Sequence, residues 1–182
     1  ACCLVGSEMC IRDSPGIGQE ASMAGIAAGM ADTDIFGGTH RDLGVQIKKG
    51  VTLKEIALNF FGKHDGPSKG RDGNSHFGVV DKGTLMVVSP LPDSAPVAVG
   101  WALASQQSGS GVVAVANCGE GATATGTWHE SINMAGVLNL PVVFTVQNNQ
   151  FAYSSPNETE FGTPNVAAVS YTHLTLPTKR NV

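Results

Sequence analysis

Charge is scarce in this chain: 14% of its 182 residues are Asp, Glu, Lys or Arg, and the balance is a net charge of -4. That excludes the basic face by which nucleic acid is usually bound. Long apolar runs are missing as well, and none approaches the roughly 20 residues that cross a bilayer as a helix. Cysteine is sparse beyond the first ten residues, where Cys2, Cys3 and Cys10 lie. Only Cys118 remains, so the body of the chain has no partner for an intramolecular disulfide and no paired spacing for zinc. No internal repeat or low-complexity tract stands out. What is present, 42% hydrophobic residues and 23 glycines, is enough to bury the core of a single globular domain. The low charge indicates that part of the surface is covered by partners.

The most informative stretch runs from Val112 to Ser154, VVAVANCGEGATATGTWHESINMAGVLNLPVVFTVQNNQFAYS. Val112 to Ala116 and Val142 to Val146 are short β-branched runs, the pattern of strands buried on both faces of a parallel sheet. A helix lies between them. Thr127 and Glu130 have capping-box spacing, and Trp128, Ile132, Ala135 and Leu138 form its apolar stripe. A right-handed βαβ unit brings both strand ends to one edge, where open α/β sheets bind ligands. Glycine loops after strands cradle phosphate, yet Glu120 in this loop would repel it. A cation between them removes the conflict. Magnesium suits the demand, since it is held by one or two carboxylates or carbonyls plus phosphate oxygens. Asn149 and a neighbouring backbone carbonyl supply further oxygen ligands. Cys118, just before the loop, reads as a small packing residue. The loop lacks the third glycine of a dinucleotide fingerprint and the Lys-Ser/Thr of a P-loop.

Other elements are legible more coarsely. Gln19 to Met30 is an alanine-rich helix suited to a packed interface or core, and Asp34 to Phe36 a short strand. It leads to Gly37, Gly38, Thr39, His40 and Arg41. The Arg41 guanidinium is either a phosphate grip or one half of a surface salt bridge. Thr52 to Phe61 is a capped helix, Thr52 and Glu55 forming the box and Ile56, Leu58, Phe60 and Phe61 its apolar bulk. Lys63 to Gly78 is a long loop in which Lys69 and Arg71 read as solvated or subunit-contacting. His76 in that loop is a candidate for facing substrate, with a solvent-facing or structural role the alternative. Leu85 to Val88 is apolar, and Asp93 or Ser94 caps a helix from Pro96 to about Gln107.

The ordered words GQEASMAGIAAGM, DIFGGTHRDLG, FFGKHDGPSKGRDGNSHFG, VSPLPDSAPVAVGWALA and NNQFAYSSPNE resemble the alpha subunit of the thiamine-diphosphate-dependent 2-oxo acid dehydrogenase decarboxylating component. The similarity extends from about Gly16 to Ala168. It implies an α/β fold, a parallel sheet with flanking helices, present here as a partial thiamine-diphosphate-binding domain over residues 15–168. Residues 1–14 and 169–182 instead resemble translated sequencing-adapter read-through and are set aside as a non-native leader and tail.

The resemblance implies thiamine diphosphate and Mg²⁺ as cofactors. Glu120 and Asn149 would ligate the metal by side chains and Phe151 by its carbonyl, while Arg41, His40, Gly119, Gly121 and Ala122 would contact the cofactor. Leu91 would support the cofactor's bent conformation. The departures are Glu120 for the commoner aspartate, Phe151 for tyrosine, His40 for an aromatic residue and Gln147 for a charged one. The last weakens one phosphate contact. The implied reaction is oxidative decarboxylation of a 2-oxo acid, a branched-chain acid ahead of pyruvate, with the acyl group passing to a lipoyl group. Implied partners are a beta subunit, in a heterotetramer of two alpha and two beta chains, and a lipoyl acyltransferase. Neither nucleic acid nor membrane is among them. The beta subunit would bring an activating glutamate, and a substrate-contacting histidine would lie beyond this chain. The implied compartment is the bacterial cytoplasm, or the mitochondrial matrix for a eukaryotic source. A transketolase-like or acetoin-type thiamine-diphosphate enzyme and a non-catalytic relative stay open as alternatives.

Overall fold

The structure, a computed structural model, describes residues 16–163 and 165–167. The two adapter-like ends lie outside them. Three parallel strands form the central sheet in the order β1-β2-β3: β1 is Ile35–Gly37, β2 is Ala114–Gly119 and β3 is Val142–Gln147. Register runs from Ile35 opposite Ala114 to Gly119 opposite Gln147. The α/β class and the flanking helices expected from the sequence are present. Helices α1 (Glu20–Gly29) and α2 (Leu43–Lys48) precede and follow β1, and α3 (Leu53–Phe60) comes next. The long helices α4 (Ser94–Ser108) and α5 (Gly126–Leu138) flank β2 in sequence.

The pleat of β2 explains the layers, because alternate side chains leave a strand on opposite faces. Ala114, Ala116 and Cys118 join α4 and α5 in one core with Ala98, Ala102, Trp128 and Ile132. Val115 joins Phe36, Val45 and Ala27 in a second core on the side of α1 and α2. Cys118 is thus the packing residue its position suggested, fully buried and free. Trp128 meets Phe144 of β3 edge to face, with centroids 5.2 Å apart at 83°, a contact worth about 1 kcal/mol beyond its buried area.

Several sequence expectations need correction. Strand β3 is not buried on both faces: its residues are mostly half-exposed and Val143 is 49% exposed, because it is the edge strand among the described residues. The capping box at Thr127 and Glu130 does not form. The N-cap is Thr125, whose hydroxyl instead donates to Ala122 O at 2.8 Å, so the chain is helical before Thr127. Leu138 falls off the buried stripe. Helix α4 begins at Ser94, and the Asp93 N-cap makes no side-chain bond.

The box at Thr52 is complete. Glu55 N–H donates to Thr52 Oγ1 at 3.2 Å, and Thr52 N–H donates to Glu55 Oε2 at 2.7 Å. Lys82, in a short 3-10 turn, donates to both Glu55 oxygens at 2.8 and 2.6 Å. Phe60 and Phe61 are exposed, and Asn59 is the fully buried residue of α3. Its side chain anchors the following loop, donating to Asn74 O at 2.8 Å and accepting from Ser68 N–H at 3.2 Å. Lys69 and Arg71 in that loop are exposed.

Candidate cofactor site

All three strands run in one direction, so the segments after them meet at one sheet edge. There they enclose a cleft of about 300 Å³. Thr39, His40 and Arg41 line it from the segment after β1, and Leu91 from the turn before α4. Gly119, Glu120, Gly121, Ala122 and Thr125 line it from the turn after β2. Phe151, Ala152 and Tyr153 complete it from a small hairpin, β4 (Phe151–Ala152) with β5 (Ser155–Pro156). Eight residues singled out from the sequence are therefore brought together: His40, Arg41, Leu91, Gly119, Glu120, Gly121, Ala122 and Phe151.

Glu120 is the centre of the site. It is 1% exposed although it opens a 3-10 turn at the end of β2. Its Oε2 accepts from Asn149 N–H at 3.4 Å, whereas its Oε1 is buried with no hydrogen-bond partner. A buried polar atom left unpaired costs about 1–3 kcal/mol, more for a charged group. Asn149 is exposed and is not among the residues lining the cleft; its Oδ1 accepts from Phe151 N–H at 3.0 Å. Opposite Phe151 in the hairpin stands Pro156, which has no N–H to donate to the Phe151 carbonyl. The three expected ligands thus form one hydrogen-bonded run carrying an unpaired carboxylate oxygen, an amide oxygen and a main-chain carbonyl. Three hard oxygen donors with one full charge fit a magnesium ion.

The glycines divide the work. A Cβ on Gly121 would lie 2.4 Å from Ala152 Cβ, so its bare backbone lets the hairpin close over Glu120; a Cβ on Gly119 would meet nothing within 4 Å. Arg41 is half-buried, and among the described residues no carboxylate pairs with its guanidinium. The surface salt bridge of the alternative reading is thus not formed among the described residues, and Arg41 is one of the residues that line the cleft. Burial, then the charges of Asp42 and Glu120, push the Cys118 thiol up to about 12.

His76 is not brought to the cleft. Its Nδ1 is 3.5 Å from Asp72 Oδ1 and its Nε2 3.4 Å from Ser89 Oγ. Gln147 is buried with its amide donating to Asp42 Oδ1 at 2.9 Å, outside the cleft lining. Asp42 itself, fully buried, escaped the sequence reading. So did Tyr153, which lines the cleft with φ 59 at the hairpin turn. The only signal for Asp42 was its place beside Arg41 in the HRDLG word.

A family model described as "Dehydrogenase E1 component" matches residues 13–173. The alpha subunit of acetoin:2,6-dichlorophenolindophenol oxidoreductase from Cupriavidus necator is 38% identical over 141 residues, covering 78% of this chain and 42% of that protein. The mitochondrial 2-oxoisovalerate dehydrogenase subunit alpha of Caenorhabditis elegans is 33% identical over 151 residues, 82% of this chain and 35% of that one. The 2-oxoisovalerate dehydrogenase subunit alpha of Bacillus subtilis is 34% identical over 158 residues, 85% and 48% respectively. The chain spans less than half the length of these relatives.

Proposed function

The chain belongs to the dehydrogenase E1 component family, and on that premise we propose that it is part of the alpha subunit of a thiamine-diphosphate-dependent 2-oxo acid dehydrogenase. The observation that carries the cofactor reading is the buried, unpartnered Oε1 of Glu120, a residue that lines the same cleft as Arg41. Such a carboxylate calls for a metal, and the metal and Arg41 together call for a polyanion. Glu120, Asn149 and the Phe151 carbonyl hold Mg²⁺; Arg41 and the backbone at Gly121 and Ala122 hold the diphosphate, with Gly119 and His40 beside it. Leu91 supplies an apolar support from the opposite wall. When bound, thiamine diphosphate supplies the nucleophilic carbon and the electron sink for decarboxylation. The protein's part is to bind, orient and screen.

The proposed reaction is oxidative decarboxylation of a 2-oxo acid with transfer of the acyl group to a lipoyl group on an acyltransferase. A beta subunit is the proposed partner in the cleft. Relatives acting on 2-oxoisovalerate by name support a branched-chain substrate ahead of pyruvate. The 38% identity to acetoin oxidoreductase alpha subunits supports acetoin as the second reading. Residues 15–168 are the proposed truncated domain. Among the described residues no helix is long and apolar enough to cross a membrane, and the bacterial cytoplasm is the proposed compartment.

The test uses the full-length subunit co-expressed with its beta chain. Thiamine diphosphate with Mg²⁺ should change Trp128 fluorescence saturably, and Asn149→Ala should weaken that binding. No saturable change, or no weakening, sinks the cofactor reading. Turnover of a branched-chain 2-oxo acid, pyruvate and acetoin on the same assembly ranks the substrates. The 182-residue chain alone should turn over none of them.

A further inference from the structure

Beneath the cleft lies a buried polar cluster that the ligand-holding residues do not use. Asp42 Oδ2 accepts from Thr39 N–H at 2.7 Å, from the Thr39 hydroxyl at 3.0 Å and from Asn117 Nδ2 at 2.8 Å. Its Oδ1 accepts from Gln147 Nε2 at 2.9 Å. Asn117 Oδ1 in turn accepts from the Thr145 hydroxyl at 2.8 Å. Asp42, Thr39, Asn117 and Gln147 are all at least 94% buried. Every one of these donors is neutral. A carboxylate buried with no cation carries a heavy desolvation penalty unless its hydrogen bonds are satisfied, and here all four hold it from three different strand ends.

The placement gives the cluster its meaning. Thr39 and Asp42 bracket His40 and Arg41, Asn117 stands three residues before Glu120, and Gln147 two before Asn149. The pleat of β2 makes this possible by turning Asn117 to the face opposite Ala116 and Cys118. A Cβ on Gly38 would lie 2.3 and 2.5 Å from the Phe36 ring and 2.7 Å from Asp42 Oδ2. One buried carboxylate thus braces the wall that carries Arg41 against the wall that carries Glu120 and Asn149.

We propose that Asp42 is a positioning residue, which through Asn117 and Gln147 fixes the spacing between the Arg41 grip on the diphosphate and the metal-holding pair. This rests on the cofactor reading above. Gln147 then serves the site from below: its amide nitrogen is committed to Asp42, while its Oε1 is buried without a partner.

The unused Oε1 makes the test sharp. In Gln147→Glu two carboxylates face each other; in the reversed pair, Asp42→Asn with Gln147→Glu, the introduced amide donates to the introduced carboxylate and its oxygen still accepts from Thr39 and Asn117. The variants are made in the full-length subunit assembled with its beta chain. They are read by hydrogen exchange of residues 39–42 without cofactor, and by calorimetric Kd for thiamine diphosphate at saturating Mg²⁺. Gln147→Glu should raise exchange about tenfold and Kd about thirtyfold, and the reversed pair should return both to within about threefold of wild type. A bystander charge behaves otherwise: Asp42→Asn alone would then tighten binding of the anion and leave exchange unchanged, which overturns the proposal. So does a reversed pair that recovers neither quantity. If Gln147→Glu does not fold, Gln147→Met removes the donor without adding charge and should raise both quantities about threefold; no change overturns the brace. A wild-type assembly that binds no thiamine diphosphate sinks the cofactor reading, while the exchange measurements still decide the brace.

Discussion

Gly121→Ala tests the packing that closes the cleft. A methyl group there would lie 2.4 Å from Ala152 Cβ and 3.2 Å from Ala152 Cα. Carbon atoms rest at about 3.5–4.0 Å, so the overlap exceeds about 1 Å, and neither methyl has a rotamer by which to escape. The hairpin must therefore lift. Overpacking of this kind costs about 1–3 kcal/mol, equivalent to a fall in Tm of roughly 2–10 °C for a chain of this size. Gly119, two residues earlier, sits at φ -78 and ψ 158 with nothing within 4 Å of a Cβ. Gly119→Ala should stay within about 0.5 kcal/mol of wild type. Thermal unfolding without ligand, followed by circular dichroism, separates the two. Because Phe151 moves with Ala152, Gly121→Ala should also weaken binding of thiamine diphosphate with Mg²⁺ by about tenfold, the loss of roughly one well-placed contact. Equal Tm values for the two variants, or wild-type affinity in Gly121→Ala, would refute the close-approach argument.

Glu120→Gln keeps the shape but removes the buried unpaired charge, so the ligand-free protein should be as stable as wild type or up to about 2 kcal/mol more so. The rise in Tm that Mg²⁺ with thiamine diphosphate gives wild type should vanish, and an undiminished rise would show that Glu120 is not the metal's anchor. The Lys82 ammonium, then the Thr52 N–H and hydroxyl, hold Glu55 down from 4.5 to about 2. Its folded value lies below its unfolded one, so this stability is complete above about pH 4.5 and disappears as pH falls toward 2. Lys82→Met should flatten acid unfolding in that window and cost about 0.5–1 kcal/mol at pH 7, allowing for solvent screening of a partly exposed pair; an unchanged acid limb counts against the link. Cys118 runs the other way: raised from 9.0 to about 12, it contributes stability below pH 9 that is lost as pH climbs toward 12. At pH 8 iodoacetamide should label the denatured protein and leave the native one unmodified, and rapid native labelling would contradict the burial.

What the sequence showed and what it hid differ in physical kind. The residues that line the cleft could be singled out because their pattern is local: a carboxylate inside a glycine loop is unusual chemistry, and Glu120 states it within three residues. Arg41 was ambiguous alone, and in the structure it lines the cleft with no acidic partner among the described residues. The helix starts at Thr125 and Ser94 were misplaced because adjacent Thr, Ser and Asp residues compete for the same cap. Strand β3 misled for a different reason. A run of Val, Val, Phe, Thr and Val has the same letters in a central strand as at an edge, and only the missing neighbour decides how much of it is bare.

The Asp42 cluster was illegible because nothing in it is local. Its bonds to Asn117 and Gln147 span 75 and 105 positions, and an Asp after an Arg ordinarily reads as a solvated turn. Yet the same fact explains why the motif residues converge at all. Parallel strands share an edge but do not set the distance between the loops that leave it, since such loops are the softest part of an α/β fold. Apolar packing cannot fix that distance either, being tolerant of small slides. Directional bonds from one buried carboxylate to three strand ends can, because each has a narrow range of length and angle. On the proposed reading, a site that holds a metal and a diphosphate in fixed relation needs a polar brace outside the ligand shell, and among the described residues Asp42 has the geometry to provide it.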